Sequence, residues 1–396
     1  MRVIGLMSGT SYDAVDAAAA DLAIEGDSLV LTPLGLVSEV YDEGLRAGLA
    51  AAMPPSATTM RAVCELDTRI GQAFVAAATR ADRELCGGRA ELVVSHGQTV
   101  YHWAENGRVH GTLQLGQPAW IAEALGRPVV SDLRPRDVAA GGQGAPLVSL
   151  VDVLWLRGRP GVPVALNLGG IANITVAPDA PSAAGGTDGP LAFDTGPANA
   201  LLDAAVQDLT GGRLPYDVDG ALAARGRVDA GLLRHLLADP YYAESPPKTT
   251  GKEQFHLPYL RAALAGREGL HPEDVVATLT FLTARTVADA ARAVGATEVV
   301  ASGGGTRNPT LMTVLRTALD GVPVLTSDDL GLPSAAKEAY AFAVLGYLTV
   351  HGLPATLPTC TGAHHPSILG SITPGRAGLR LPPAPDGPPV RLEISR

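Results

Sequence analysis

The sequence repeats one local pattern in its two halves, and this repeat limits the folds that the chain can adopt. Residues 164–170 form an apolar run that ends in a glycine turn, as residues 3–9 do near the start of the chain. Residues 171–176 continue as the returning strand of a hairpin, and a third glycine-rich turn at 302–305 follows the apolar run 298–301. Apolar runs bounded by glycines are typical of buried strands that enter turns. The pattern therefore predicts an internally duplicated α/β protein.

The first glycine turn has the composition of a phosphate-binding loop. Glycine lets the backbone approach an anion, and hydroxyl and N–H groups donate to phosphate oxygens. The candidate phosphate donors are Ser8, Gly9, Thr10 and Ser11. Asp13 and Asp16 follow, and carboxylates of this kind can hold a hydrated cation directly or through water. A serine- and glycine-rich hairpin capped by an aspartate is the other interpretation of this stretch.

Composition excludes several classes of protein. The 396 residues exceed one core of usual size, which predicts two domains. The formal net charge is −10 and only three residues are lysines, so no basic face for nucleic acid is expected. Three scattered cysteines without a CxxC pair indicate reduced thiols, and no apolar run is long enough to cross a bilayer. We therefore expect a cytoplasmic protein that has neither a membrane nor a nucleic acid as its partner.

Apolar spacing predicts how strands and helices alternate. Residues 58–86 carry apolar side chains at helical spacing and end before two glycines, which predicts a long helix. The following strand, 91–95, is expected to end before His96, which puts His96 and Gln98 in a loop. Further strands are expected at 2–5, 14–23, 28–40, 128–131 and 191–193, and further helices at 200–209 and 278–294.

Two common nucleotide-binding motifs are absent from the sequence. There is no GxxxxGK[ST] loop, and no GxGxxG turn follows a strand, which excludes a P-loop enzyme and a dinucleotide-binding fold. Glycine turns in duplicated halves, with another glycine-rich turn late in the second half, resemble instead the architecture shared by actin, sugar kinases and Hsp70-type ATPases.

Seven motifs in sequence order carry a more specific resemblance. They are SGTSxDxxD at 8–16, SHGQTVYH at 95–102, GGQGAPL at 141–147, NLGGIANIT at 167–175, FDTGPxN at 193–199, GGGTRNPTLM at 303–312 and KEAYAF at 337–342. With these motifs the chain resembles the anhydro-N-acetylmuramic acid kinase family. The resemblance implies two duplicated actin-like, ribonuclease H-like domains whose mixed sheets flank an ATP cleft. It also implies an enzyme that uses ATP to open the 1,6-anhydro ring of 1,6-anhydro-N-acetylmuramic acid and to phosphorylate O6. The products would be N-acetylmuramic acid 6-phosphate and ADP, in the recycling of cell-wall sugars.

The resemblance assigns roles to residues of the second half. Asp194 corresponds to the family's proposed general base, and we expect it on a sharp strand-to-helix turn, where a helix N-cap is the other interpretation. Gly169 and Gly170, together with the first turn, would hold the phosphates of ATP bound with Mg²⁺, for which Asp13 and Asp16 are the candidate ligands. The candidate adenosine-binding loop consists of Gly303, Gly304, Gly305 and Asn308. A helix entry capped by Asn308 is the alternative for this loop.

The lactyl carboxylate and the acetamide of the implied substrate require an arginine and polar partners. Arg134 is the candidate carboxylate ligand, because a guanidinium binds a carboxylate bidentately. Surface ion pairs with Asp132 and Asp137 are the alternative, and for Arg136 they are an equally good interpretation. The other candidate sugar contacts are His96, Gln98 and Glu338, for each of which a structural role is the alternative.

The predicted domains follow from the repeat. We expect an N-terminal domain at 1–137, a C-terminal domain at 138–359 and a flexible proline-rich tail at 381–396, with residues 360–380 packing back on the first domain. Ala14 and Ala198 stand where the family pattern usually has glycine, and a methyl group there is tolerable only if φ is negative.

Other functions stay open at this point. A sugar or polyol kinase of the same architecture would phosphorylate a free hydroxyl without consuming water. A non-enzymatic ATP-gated module would bind the nucleotide alone, although such a module does not need a base at Asp194. The sequence also leaves open whether the chain forms a homodimer.

Overall fold

The chain is divided into two compact units. The computed structural model describes residues 1–9, 12–54, 56–105, 107–178, 189–251 and 254–395. The first unit consists of Met1–Arg157 and Ala336–Arg396, and the second is the continuous segment Gly158–Ala335. The units divide at other residues than the sequence predicted, because residues 138–157 and 336–359 belong to the first unit.

Strands and helices alternate through the first unit. Its strands are β1 (Arg2–Ser8), β2 (Ala14–Glu25), β3 (Ser28–Val40), β4 (Leu92–Glu105), β5 (Arg108–Leu115) and β6 (Val129–Ser131). Its helices up to residue 157 are α1 (Glu43–Ala52), α2 (Met60–Leu85), α3 (Pro118–Leu125), α4 (Leu133–Ala139) and α5 (Ser149–Leu156).

The second unit follows the same scheme and contains more helix. Its strands are β7 (Pro163–Leu168), β8 (Ile171–Val176), β9 (Leu191–Pro197), β10 (Glu298–Ser302) and β11 (Val324–Thr326). Its α-helices are α6 (Asn199–Leu209), α7 (Ala221–Arg225), α8 (Ala230–Leu237), α9 (Leu257–Leu264), α10 (Pro272–Ala293) and α11 (Pro309–Ala318). The chain then returns to the first unit with α12 (Lys337–Val350), α13 (Pro358–Thr361), β12 (Ser371–Thr373) and β13 (Arg391–Ile394).

The two units share one strand order, which confirms the predicted duplication. In the first sheet the order is β6-β4-β1-β2-β3, and in the second it is β11-β10-β7-β8-β9. The first strand of each unit pairs antiparallel with the second and parallel with the fourth. Each unit thus combines an antiparallel meander with parallel strands that are reached through helices.

Helices cover both faces of the first sheet. On one face α2 packs its buried Ile70 and Phe74 against Ile4 and Leu6 of β1. On the other face α12 contacts β1, β2 and β4, and nearly all of its side chains are buried. A Cβ at Gly5 would overlap the carbonyl oxygen of Ala339, so this close approach of α12 requires glycine. Because α12 is apolar all round, it is a core helix of the first unit.

The second unit has an apolar core of its own. Val164, Ile174 and Val299 of its sheet form one buried cluster with side chains of α10 and α11. A second cluster joins α6, α8, α9 and α10, with Leu201 and Leu232 among its members. The long helix α10 contributes to both clusters, and it begins at Pro272 rather than at the predicted residue 278.

Two sequence-based expectations about the first sheet are wrong. Strand β4 does not end at residue 95, because its pairing with β5 continues the strand to Glu105 and places His96 and Gln98 inside it. The tail from 381 is not irregular throughout, because Arg391–Ile394 pairs in parallel with β3 as an edge strand. Residues 371–373 pair with β6, in the part of the chain that was expected to pack back on the first domain. No helix within the described ranges is long and apolar enough to span a membrane.

Candidate functional site

The end of β1 is tied to β4 by a buried amide. Gln98 is 1% exposed, and its Nε2 donates to Gly9 O at 3.1 Å. The Ser8 hydroxyl lies 2.8 Å from Gln98 Oε1 and 2.9 Å from Ala14 O. The side chains of Ser8 and Gln98, two of the predicted site residues, therefore hold the backbone of the first turn in place. The predicted phosphate donors Thr10 and Ser11 lie outside the described residues.

The acidic residues after this turn lie at the start of β2. Asp13 is exposed, and its Oδ1 accepts a bond from Ala14 N at 3.0 Å. Asp16 is half-buried, and the Ser38 hydroxyl donates to its Oδ1 at 2.5 Å. Ala14 is a strand residue and is not among the described non-glycine residues with positive φ, so its methyl group is tolerated.

The half-buried Arg134 and the buried His96 form a hydrogen-bonded pair. Arg134 Nε donates to His96 Nε2 at 2.9 Å, and His96 Nδ1 lies 2.8 Å from Gly97 O. Because a guanidinium can only donate, Nε2 is the acceptor and the proton of the imidazole is on Nδ1. Burial, reinforced by the charge of Arg134, lowers the pKa of His96 to about 3. Both ring nitrogens of the neutral His96 are thus used within the chain.

The remaining contacts of Arg134 fix the orientation of its guanidinium. Nη1 donates to Gly144 O at 2.7 Å, and Gly144 N in turn donates to Asp137 Oδ2 at 2.8 Å. The other oxygen of Asp137 accepts from the Thr361 hydroxyl at 2.8 Å. Burial raises the pKa of Asp137, and these hydrogen bonds oppose the rise. The alternative of a surface ion pair between Arg134 and Asp137 is therefore wrong, because Asp137 is fully buried and holds the loop that carries Gly144.

Glu338 lies in the first turn of α12, close enough to Arg134 for their charges to interact. Burial raises the pKa of Glu338, and the positive charges of Lys337 and Arg134 oppose the rise. Lys337 is itself 4% exposed and forms an ion pair of 2.6 Å with the buried Asp152. The first unit thus brings Glu338, Arg134 and His96 into one partly desolvated group.

Asp194 lies inside β9 rather than on a turn. The helix that follows begins at Asn199, and its N-cap residue is Ala198, so the N-cap interpretation of Asp194 is wrong. Its carboxylate accepts a bond from Thr250 N at 2.9 Å, and its backbone N–H donates to Lys248 O at 3.0 Å. The sequence did not reveal this segment, although Lys248 is one of only three lysines in the chain.

The turn between β7 and β8 caps helix α6. The N–H groups of Ala198 and Asn199 donate to the carbonyl oxygens of Gly170 and Gly169, each at 3.1 Å. The Asn199 side chain adds a bond to Leu168 O at 3.0 Å. Ala198 has a φ of −127°, so the alanine fits where the family pattern has glycine. The predicted phosphate-binding turn is therefore rigidly joined to the start of α6.

The third glycine turn approaches the first hairpin of the second unit. Gly303 has a φ of +86°, and a Cβ there would lie 2.5 Å from Asn167 Oδ1 and 2.9 Å from Leu168 O. Asn308 Oδ1 accepts from Leu311 N at 3.0 Å, so Asn308 caps α11, as the alternative interpretation predicted. Gly304 and Gly305 are the first two residues of a short 3₁₀ helix, Gly304–Arg307, which lies between Gly303 and Asn308.

Comparison with known proteins decides the family. A family model described as "Anhydro-N-acetylmuramic acid kinase" matches residues 1–375. The chain belongs to this family. A protein of that name from Streptomyces avermitilis is 74% identical over 394 residues, which is 100% of both chains. Another from Rhodococcus erythropolis is 63% identical over 395 residues, covering 99% of this chain and 100% of the relative. A third relative, from a Cyanothece species, is 41% identical over 380 residues, covering 94% of this chain and 99% of the relative.

In this anhydro-N-acetylmuramic acid kinase family member, each unit gathers its own predicted residues. His96, Arg134 and Glu338 come together in the first unit from β4, α4 and α12. Gly169, Gly170 and Gly303 come together in the second unit, next to the start of α6. The separation in sequence between Arg134 and Glu338 shows why pattern alone could not predict that their charges interact.

Proposed function

We propose that Asp194 is the general base of the reaction of the anhydro-N-acetylmuramic acid kinase family. In that reaction a water attacks the anomeric carbon, while O6 leaves that carbon and attacks the γ-phosphorus of ATP. The water must lose a proton, and a carboxylate within hydrogen-bond reach is suited to accept it. The observation that carries the proposal is the Thr250 N–H bond to Asp194 Oδ2, which orients a half-buried carboxylate by backbone rather than by a flexible side chain.

We assign the lactyl carboxylate of the substrate to Arg134. Its Nε and one Nη1 hydrogen are used by His96 and Gly144, and no bond from Nη2 is found among the described residues. The edge formed by Nη1 and Nη2 therefore keeps donors for a bidentate bond to a carboxylate. Glu338 would contact the sugar, whereas Gln98 holds the first turn in place through its bonds to Ser8 and Gly9. His96 contributes by orienting Arg134.

The glycine turns are assigned to ATP. Gly9 and the two residues after it, with Gly169 and Gly170, would donate to its phosphates, and Ser8 would hold the first turn through its bonds to Gln98 and Ala14. The loop from Gly303 to Asn308 would hold the adenosine. Within the described ranges no three acidic, histidine or cysteine residues lie together as a metal site. Two carboxylates, Asp13 and Asp16, fit Mg²⁺, because this ion keeps several waters and takes phosphate oxygens as ligands. Bound there, Mg²⁺ would neutralise charge on the transferred phosphoryl group. We also place the protein in the cytoplasm, in accordance with its three free cysteines.

Replacement of the base tests the proposal. We expect Asp194→Asn to lower turnover by about 10²–10⁴-fold, because an amide keeps the shape of the carboxylate but accepts no proton. The affinity for ATP, measured by calorimetry, and the melting temperature should stay near those of the wild type. Asp320→Asn, at an exposed aspartate of the same unit, is the matched control and should retain wild-type turnover. Wild-type turnover in Asp194→Asn would refute the assignment.

Labelled water distinguishes this reaction from that of an ordinary sugar kinase. Ring opening by water places one oxygen from the solvent at C1 of the product. Mass spectrometry of the product formed in ¹⁸O-water should therefore find one labelled oxygen. A phosphorylated product without the label would favour transfer to a free hydroxyl.

A further inference from the structure

Residues 248–250, which we call the bracing segment, lie against both the backbone and the side chain of Asp194. The Asp194 amide donates to Lys248 O at 3.0 Å, and Thr250 N donates to Asp194 Oδ2 at 2.9 Å. Hydrogen bonds between a main-chain N–H and a carboxylate are short and directional. The position of the carboxylate therefore depends on the position of the bracing segment.

The side chain of Lys248 ties the bracing segment to Tyr241. Its Nζ donates to Tyr241 O at 2.9 Å and lies 3.5 Å from Tyr242 O. It also lies 4.5 Å from the centre of the Tyr241 ring. The Tyr241 hydroxyl donates to Asp194 O at 2.7 Å. These contacts form a closed circuit that runs through Asp194, Lys248 and Tyr241.

The environment of Lys248 differs from that of a solvated surface lysine. Tyr241 is 2% exposed, and its ring packs edge-to-face on Phe255. Partial burial lowers the pKa of Lys248, and the charge of Glu244 opposes this change. Main-chain carbonyls and an aromatic face replace part of the water around the ammonium. The charge of Lys248 is thus used inside the fold.

We infer that Lys248 and Tyr241 are positioning residues that hold Asp194 in the orientation required of a general base, an inference that rests on the proposed function. A general base acts only within hydrogen-bond reach of the proton that it removes. A displacement of about 1 Å can cost on the order of 10²-fold in rate. Lys248 and Tyr241 act through Asp194, and their effect belongs to the chemical step rather than to ligand binding.

Substitution of Lys248 separates positioning from binding. We expect Lys248→Met to lower kcat by about 10–100-fold, with KM for ATP and for the anhydro-sugar within about 3-fold of wild type. Lys248→Arg should recover most of kcat, because a guanidinium also donates to carbonyls and stacks on a tyrosine ring. Equal loss in both variants, or a rise in KM that accounts for the whole effect, would overturn the inference.

Tyr241→Phe is a second variant that removes a single hydroxyl. We expect a loss in kcat of about 3–30-fold without a change in either KM, on the scale of one lost hydrogen bond to the backbone of Asp194. Tyr216→Phe, at a tyrosine that is 52% exposed in the same unit, is the control and should leave kcat unchanged. Wild-type kcat in Tyr241→Phe would contradict the inference, whatever the folding of the Lys248 variants.

The same assays distinguish this inference from the proposed function. If Asp194→Asn is inactive while Lys248→Met and Tyr241→Phe both keep wild-type kcat, Asp194 stands as the base and the positioning role is wrong. If Asp194→Asn keeps wild-type turnover, the base is wrong and the positioning role falls with it. A loss of kcat in all three variants, with both KM values and melting temperatures retained, supports both.

Discussion

The assignment of Arg134 as a ligand of the substrate can be tested with a single substitution. Arg134→Lys keeps the charge but loses the planar fork. We expect KM for the anhydro-sugar to rise by about 10–100-fold, as for a lost charged hydrogen bond, while KM for ATP changes little. Arg136→Lys, on the same helix but exposed, is the matched control and should keep both KM values. A parallel rise in KM for ATP would argue against contact with the lactyl carboxylate.

His96 predicts a pH dependence of stability. Its pKa is about 3 in the folded chain, below the usual value of 6.5. Between these values the unfolded chain binds a proton at this residue and the folded chain does not, so the free energy of unfolding falls as the pH is lowered. The slope from one such group is at most about 1.4 kcal/mol per pH unit. His96→Gln, which does not titrate, should lose less stability than the wild type between pH 7 and pH 5 in urea unfolding. Parallel curves for the two proteins would contradict this account.

At the scale of elements, periodicity correctly predicted the strands and helices whose formation depends on residues close together in the chain. The hairpin β7–β8 and the helix α2 lie where apolar spacing and glycines placed them, because both depend on neighbours close in the chain. The extension of β4 through His96 was missed, because pairing with β5 decides it rather than strand propensity. Asp194 was wrongly expected in a turn, because its strand conformation also depends on pairing, here with β8 and with the bracing segment.

The third glycine turn has a conformation that predicts a requirement for glycine at position 303. Gly303 has backbone angles that side chains rarely adopt, and a Cβ would meet Asn167 and Leu168. We expect Gly303→Ala to lower the free energy of unfolding by about 1–3 kcal/mol and to lower the melting temperature. Gly304→Ala is the control, because its φ is not positive and the nearest atom to its Cβ is 3.9 Å away. Equal melting temperatures for the two variants would show that the turn tolerates a side chain.

At the scale of the whole molecule, the repeat predicted two domains but misplaced their boundaries. The second unit is inserted into the first, so residues 336–396 return to the unit that the chain left after residue 157. The return of residues 360–380 was expected, but only tertiary packing reveals that α12 takes part in it, because α12 is an ordinary apolar helix in sequence and its partners lie on β1, β2 and β4. For the same reason the sequence allowed Glu338 to be matched to a family motif but did not predict that it lies near Arg134. The candidate site was thus predicted as residue types, and the fold supplied their neighbours.

The insertion predicts that the two units differ in their ability to fold alone. The fragment 158–335 is continuous and contains two buried clusters, so we expect it to show helical circular dichroism and one cooperative thermal transition. The fragment 1–157 lacks α12, whose buried Tyr340, Phe342 and Leu345 belong to the first unit, and we expect it to aggregate or to stay unfolded. Adding the separate fragment 336–396 should restore a cooperative transition. A fragment 1–157 that melts cooperatively by itself would show that α12 is dispensable for the first unit.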